Sequence, residues 1–242
     1  MAGNHYEQTL YQAKLSEIAH RYDDMADELA VVAELARKNK TALTEDQLHL
    51  FIRAYDAQIE TRRTSLQELR PIRQKLLDQK SDLASVAAEK IGVIEKELRG
   101  VCDKTLKALE TMPSPETSIE AKVLFLTWQA DCWRCKAELA TNADDTEAAD
   151  NARKSYDNAM READSLSVTD SARLRAALGY SVFLHDIVGD TEAASRAAKN
   201  AFDEATSEMD HLDEDQYKQS TRVMQLLRDN LTAWTAPGQG GL

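Results

Sequence analysis

The stretch Tyr217 to Thr235, Y-K-Q-S-T-R-V-M-Q-L-L-R-D-N-L-T-A-W-T, sets Val223, Leu226, Leu227, Asn230 and Trp234 at helical spacing. It predicts an amphipathic helix whose working face ends in an asparagine and a tryptophan. On periodicity alone this is a packing helix. The chain around it has 242 residues, 43% of them hydrophobic, enough for one large core or two modest cores that share helices. Eight glycines and four prolines are few for this length, and alternating β-branched runs are scarce, so the composition predicts an all-α protein.

Working outward, the apolar set Leu10, Leu15, Ile18, Ala19 and the set Met25, Leu29, Val32, Leu35 predict two helices with a short corner near Arg21 to Asp24. Thr44 with Gln47 reads as a capping box opening a long third helix, which carries Leu48, Ile52, Tyr55, Ile59, Leu66 and Leu69 on one stripe. Pro71 lacks a backbone donor and is expected to kink or shorten that helix. A fourth long helix is expected from about Ser81 to Leu109, ended by M-P-S-P at Met112 to Pro115. Residues 117–140 predict another helix, followed by a polar break at Asn142 to Asp145. D-T-E-A-A at Asp145 to Ala149 returns at Asp190 to Ala194, each time followed by an aromatic, Tyr156 or Phe202. A recurrence of about 45 residues suggests stacked antiparallel helix hairpins.

The net charge of −12, with 30% charged residues, disfavours nucleic acid or an anionic membrane as the main partner while leaving room for a local basic pocket. No run approaches the ~18–20 apolar residues of a membrane span, and Met1 to Leu10 is polar, so a cytoplasmic location is expected. Cys102, Cys132 and Cys135 are an odd set, read as reduced thiols; C-x-x-C at Cys132 and Cys135 has no second ligand pair at metal spacing. Glu17 with His20, Glu208 with His211 and Asp46 with His49 have the spacing of di-iron bundle ligands, a remote enzymatic alternative. No G-x-S-x-G, phosphate loop or dinucleotide turn is present, and His185 next to Asp186 is not expected to form a dyad, because adjacent residues on a helix diverge. The expectation is a protein that is not an enzyme and holds no metal or cofactor.

Segments along nearly the whole chain resemble the 14-3-3 family. They are A-K-L-S-E-I-A-H-R-Y-D-D-M (Ala13 to Met25), A-Y-D-A-Q-I-E-T-R-R-T-S (Ala54 to Ser65) and I-E-K-E-L-R-G-V-C (Ile94 to Cys102). They continue with A-K-V-L-F-L-T-W-Q-A-D-C-W-R-C (Ala121 to Cys135), S-V-F-L-H-D-I (Ser181 to Ile187), A-K-N-A-F-D-E-A (Ala198 to Ala205) and the helix quoted first. The resemblance implies nine antiparallel helices in a cup-shaped array and a homodimer. It also implies an amphipathic groove in each protomer for phosphoserine or phosphothreonine segments of partner proteins. One helical domain is then expected over about 1–235, with dimerising helices at about 5–75, groove helices at about 45–235, and a short flexible tail at 236–242.

A phosphate dianion is held by fixed cations, because charge-assisted bidentate bonds give both strength and direction. In the family a lysine and an arginine on the third helix, and an arginine followed by a tyrosine on the fifth, supply this. Arg63 and Arg134 match the arginines here, but Asp56 stands at the lysine position and Cys135 at the tyrosine position. A unit charge about 5 Å from a phosphate is worth up to ~3 kcal/mol at an effective dielectric of 20, and reversing its sign doubles the change. A micromolar complex has only about 8 kcal/mol in all, so weakened phospho-dependence is expected. Of the two family asparagines that hold the peptide backbone, Asn230 remains and Gly179 replaces the other. Leu178, Val182, Leu226 and Trp234 keep the apolar wall, Asp186 stands for a glutamate, and Arg222 and Ala233 replace leucines. An alternative is a scaffold of the same fold that binds unphosphorylated or acidic segments.

By the same resemblance, Leu15, Ala19, Arg21 and Asp24 match one side of the dimer contact, and Ser65 and Leu69 the other. Glu97 is available to meet Arg21 across it. Val93 replaces the lysine that meets Asp24, with Lys90 one turn away as a substitute. Rim pairs contribute about 0–1 kcal/mol, so apolar burial decides dimerisation. R-R-T-S at Arg62 to Ser65 also resembles a site for a basic-directed kinase, against the plainer reading that its arginines serve the groove.

Overall fold

The computed structural model describes residues 2–39, 41, 43–111, 118–140 and 146–236. The expected breaker at Met112 to Pro115, the polar break at Asn142 to Asp145 and residues 237–242 of the tail lie outside them. The chain divides into two units, Met1–Ser114 and Pro115–Leu242. Among the described residues every long element is an α-helix and there is no strand.

The first unit holds α1 (Ala2–Ile18), α2 (Tyr22–Asn39), α3 (Glu45–Asp78) and α4 (Leu83–Thr111). α1 ends in a Schellman turn: Arg21 N donates to Ser16 O at 2.8 Å, His20 N donates to Glu17 O at 3.0 Å, and His20 takes a left-handed φ of 55°. α2 buries Met25, Ala26, Leu29, Val32, Ala33 and Ala36, and its termini carry charges suited to the helix dipole, Asp23 and Asp24 first and Arg37 and Lys38 last. α3 opens on the expected capping box, with Gln47 N donating to Thr44 Oγ1 at 3.3 Å and Thr44 N to Gln47 Oε1 at 3.1 Å. The expected shortening at Pro71 does not occur, since α3 continues to Asp78. The hydrogen bond that Pro71 cannot make would have gone to Gln67, and both residues are exposed, so water can satisfy the freed carbonyl. Arg62 with Glu97 (3.4 Å) and Arg70 with Glu95 (3.0 Å) fix α3 and α4 antiparallel.

The second unit holds α5 (Ile119–Glu138), α6 (Thr146–Ala163), α7 (Ser171–Phe183), a π-turn (Leu184–Val188), α8 (Thr191–Glu208), a 3-10 turn (Met209–His211) and α9 (Glu214–Thr235). Side-chain oxygens of Ser118, Asp170, Asp190 and Asp213 cap α5, α7, α8 and α9. Lys122 meets Glu162 at 2.7 Å and Asp131 meets Tyr156 at 2.6 Å, so α5 and α6 run antiparallel. Arg173 Nη1 donates to Leu166 O at 2.9 Å and, more weakly, to the carbonyls of Ala163 and Asp164, capping the end of α6 from α7. Two apolar clusters form the core: one around Ala130, Ala152, Tyr156, Phe183, Leu184 and Ala194, the other around Leu174, Ala198, Ala205, Met224 and Leu227.

The repeated words do start α6 and α8, at Thr146 and Thr191. Their buried faces, however, correspond one residue later. Ala148, Ala152 and Ala159 pair with Ala194, Ala198 and Ala205, an offset of 46 that also equates Tyr156 with Phe202. α9 turns the expected side inward, with Leu227 buried and Val223 and Trp234 packed on the second cluster, but its buried centre is rotated from the periodic set. It buries Ser220, Met224 and Leu227, and Leu226 is 50% exposed.

Candidate functional site

Arg134 comes from the inner face of α5, with a side chain only 10% exposed. Its Nε donates to Tyr156 Oη at 3.2 Å, its Nη1 bonds Glu138 one turn on, and its Nη2 lies 3.6 Å from Asp131 one turn back. Tyr156 Oη in turn donates to Asp131 Oδ1 at 2.6 Å. Burial works against the Arg134 charge, but Tyr156, Asp131 and Glu138 outweigh it and hold the guanidinium ionised well above the ordinary arginine range. Burial first, and then Asp131, push the Tyr156 phenol well above its usual value, so it stays a neutral donor. A guanidinium so held keeps one direction.

Gly179 on α7 closes this cluster from the other side. A Cβ there would stand 2.9 Å from Tyr156 Cε1 and 3.1 Å from both Tyr156 Oη and Asp131 Oδ1. The Tyr156 ring is fully buried and cannot step aside, so the absence of a side chain at 179 is what lets α7 approach. Cys135, next to Arg134, is buried, as are Cys132 and Cys102, and all three are reduced thiols.

Around Gly179, Leu178 and Val182 are half-buried on α7, and Leu178 packs against the second core cluster. On α9, Arg222 and Leu226 are exposed and Asn230 is half-buried. Trp234 packs on both clusters and stacks on His185, with ring centroids 4.8 Å apart and planes 14° apart. The expectation that His185 and Asp186 would not meet is corrected here: His185 Nδ1 lies 2.6 Å from Asp186 Oδ1. That expectation assumed a regular α-helix, whereas Leu184–Val188 is a π-turn, closed by Asp190 N donating to Leu184 O (3.0 Å) over Gly189 at φ 75°. The imidazole is engaged by Trp234 and Asp186, and it braces the end of α9 against this turn.

Asp56 and Arg63 lie in the first unit, both half-buried on α3. Arg62 does not point to a groove role. It donates to Gln58 O at 3.2 Å and pairs with Asp23 (3.6 Å) and Glu97 (3.4 Å), tying α3 to α2 and α4. Arg21 pairs with Asp24, three residues on. Ser65 Oγ donates to Thr61 O at 2.9 Å, Leu69 is half-buried, and Ala19 and Lys90 are exposed. Leu15, Ile18, Val86 and Val93 are all exposed, Ile18 by 76%. Glu17 is engaged by Arg53, and His20 Nδ1 lies 3.2 Å from Tyr22 Oη. Among the described residues no three His, Cys, Asp or Glu side chains gather as a metal site would need, and no helix is long and apolar enough to cross a membrane.

The family model described as 14-3-3 protein matches residues 12–235. The chain belongs to the 14-3-3 family. It is 40% identical over 246 residues to a 14-3-3 protein homolog of Encephalitozoon cuniculi, covering 100% of this chain and 95% of that one. Against 14-3-3-like protein 2 of Caenorhabditis elegans the identity is 38% over 234 residues, covering 95% and 92% of the two chains. Against the 14-3-3 protein epsilon of Drosophila melanogaster it is 40% over 242 residues, covering 96% and 88%. As a 14-3-3 protein, this chain is a non-enzymatic adaptor that binds partner proteins. Sequence reasoning about this 14-3-3 protein found Arg134 but missed Asp131, Glu138 and Tyr156, which orient it. The first two stand one helical turn to either side and were readable from spacing; Tyr156 reaches in from another helix and was not.

Proposed function

We propose that this 14-3-3 protein is a cytoplasmic homodimer whose groove takes phosphoserine- or phosphothreonine-containing segments of partner proteins, with phospho-dependence weakened by Asp56. The observation that carries the reading is the buried Arg134 guanidinium, held in one direction by Asp131, Glu138 and Tyr156. A fixed cation of this kind costs no reordering when a phosphate arrives. Leu178, Val182, Leu226 and Trp234 supply the apolar wall for the flanking peptide, and Asn230 an amide for its backbone. Arg63 is the second cation, and Asp56 on the same helix subtracts from its field. Cys135 and Gly179 each remove a hydrogen-bonding side chain that the family uses. The exposed Leu15, Ile18, Val86 and Val93 support self-association through the first unit.

Titration of a fluorescent phosphoserine peptide and its unphosphorylated twin tests this. The phosphorylated form should bind more tightly by about tenfold, and Arg63→Glu should abolish the difference. Equal binding of the two forms would refute the phosphate reading and favour a scaffold for unmodified or acidic segments.

A further inference from the structure

A cavity of about 380 Å³ opens among α2, α3 and α4 in the first unit, within the range of small-molecule sites. Its apolar lining is Ala30, Ala33, Ala108 and the ring of the buried Tyr55. Five charged side chains stand around it: Asp27, Glu34, Arg37, Lys104 and Lys107. Both acids are occupied by lysines, Asp27 with Lys104 at 3.9 Å and Glu34 with Lys38 at 2.7 Å. Arg37 adds to the field that keeps Glu34 ionised, after the bond and the charge of Lys38. Among the described residues neither Arg37 nor Lys107 forms an ion pair, and the lining holds three cations against two acids in a chain of net charge −12. Small alanines on two facing helices leave the space, and the surplus charge gives it a sign.

We propose that this cavity binds a small organic anion with a short apolar or aromatic body. The anionic head is drawn by Arg37 and Lys107, and the body lies against Ala30, Ala33, Ala108 and Tyr55. The site shares no residue with the phosphopeptide reading. A neutral analogue of the same shape gains only the apolar contact, and discrimination comes from the head. The ion pairs at Asp27 and Glu34 keep those carboxylates from cancelling the two cations.

Saturation-transfer NMR on the full-length protein, with 3-phenylpropionate and 3-phenylpropanol as probes, tests the proposal. The acid should bind at low-millimolar concentration and the alcohol at least about tenfold more weakly. Two variants should each reduce acid binding by about tenfold or more: Arg37→Gln combined with Lys107→Gln, which removes the charge, and Ala30→Phe, which fills the space from an exposed position. Thermal melts confirm that each variant is folded. No binding of the acid, equal binding of acid and alcohol, or undiminished binding in either folded variant overturns the proposal.

Discussion

Arg134 and Arg21 are both arginines paired with an aspartate three residues away, yet the molecule uses them differently. The Arg134 side chain is 10% exposed and has three partners, whereas the Arg21 side chain is 66% exposed and has Asp24. Water competes for every bond of Arg21 and for few of Arg134. The same covalent chemistry therefore orders a buried cluster in one unit and decorates a surface in the other. Burial, rather than the number of charged neighbours, decides which arginine can present a fixed direction to a ligand.

The two arginines should behave differently on removal. Arg134→Met should lower the unfolding free energy by about 2–4 kcal/mol in urea titration, because Asp131 and Glu138 lose their counter-charge and Tyr156 an acceptor role in a dry setting. A neutral result would mean that Tyr156 and Asp131 are sufficient without it. Gly179→Asn tests the same cluster by volume: the added Cβ drives into the Tyr156 ring, and about 1–3 kcal/mol should be lost. Unchanged stability would show that α7 can retreat. On the surface of the first unit, Leu15→Glu should weaken the proposed self-association by about tenfold in sedimentation velocity, with little change in monomer stability. The smallest effect belongs to Arg21→Ala, about 0–1 kcal/mol by the same urea titration.

Local rules carried the fold far. The capping box at Thr44 and Gln47 formed as its residues demand, and the corner after Ile18 fell within a few residues of its expected place. These signals depend on neighbours within one turn of helix. Pro71 does not end α3, because the cost of a proline depends on whether the freed carbonyl meets water, and exposure is not written in the residues beside it. Leu226 is exposed for a similar reason: periodicity gives the apolar side of α9 but not the angle at which other helices cover it. At the site, Arg134 was legible through the resemblance. Tyr156 at its Nε and the closeness of Gly179 to both are contacts between helices far apart in sequence. The π-turn at Leu184–Val188 carries no periodic signal of its own beyond the glycine that closes it, so the meeting of His185 with Asp186 and Trp234 emerged only from the structure.

On the proposed reading, Asp56 weakens the recognition of a phosphorylated segment. The most direct test compares the affinity of one phosphoserine peptide and its unphosphorylated twin for the native protein and for Asp56→Lys. A gain of at least about tenfold for the phosphorylated peptide, with the twin unchanged, is expected from the sign reversal of one charge. Unchanged affinity for the phosphorylated peptide would contradict the claim.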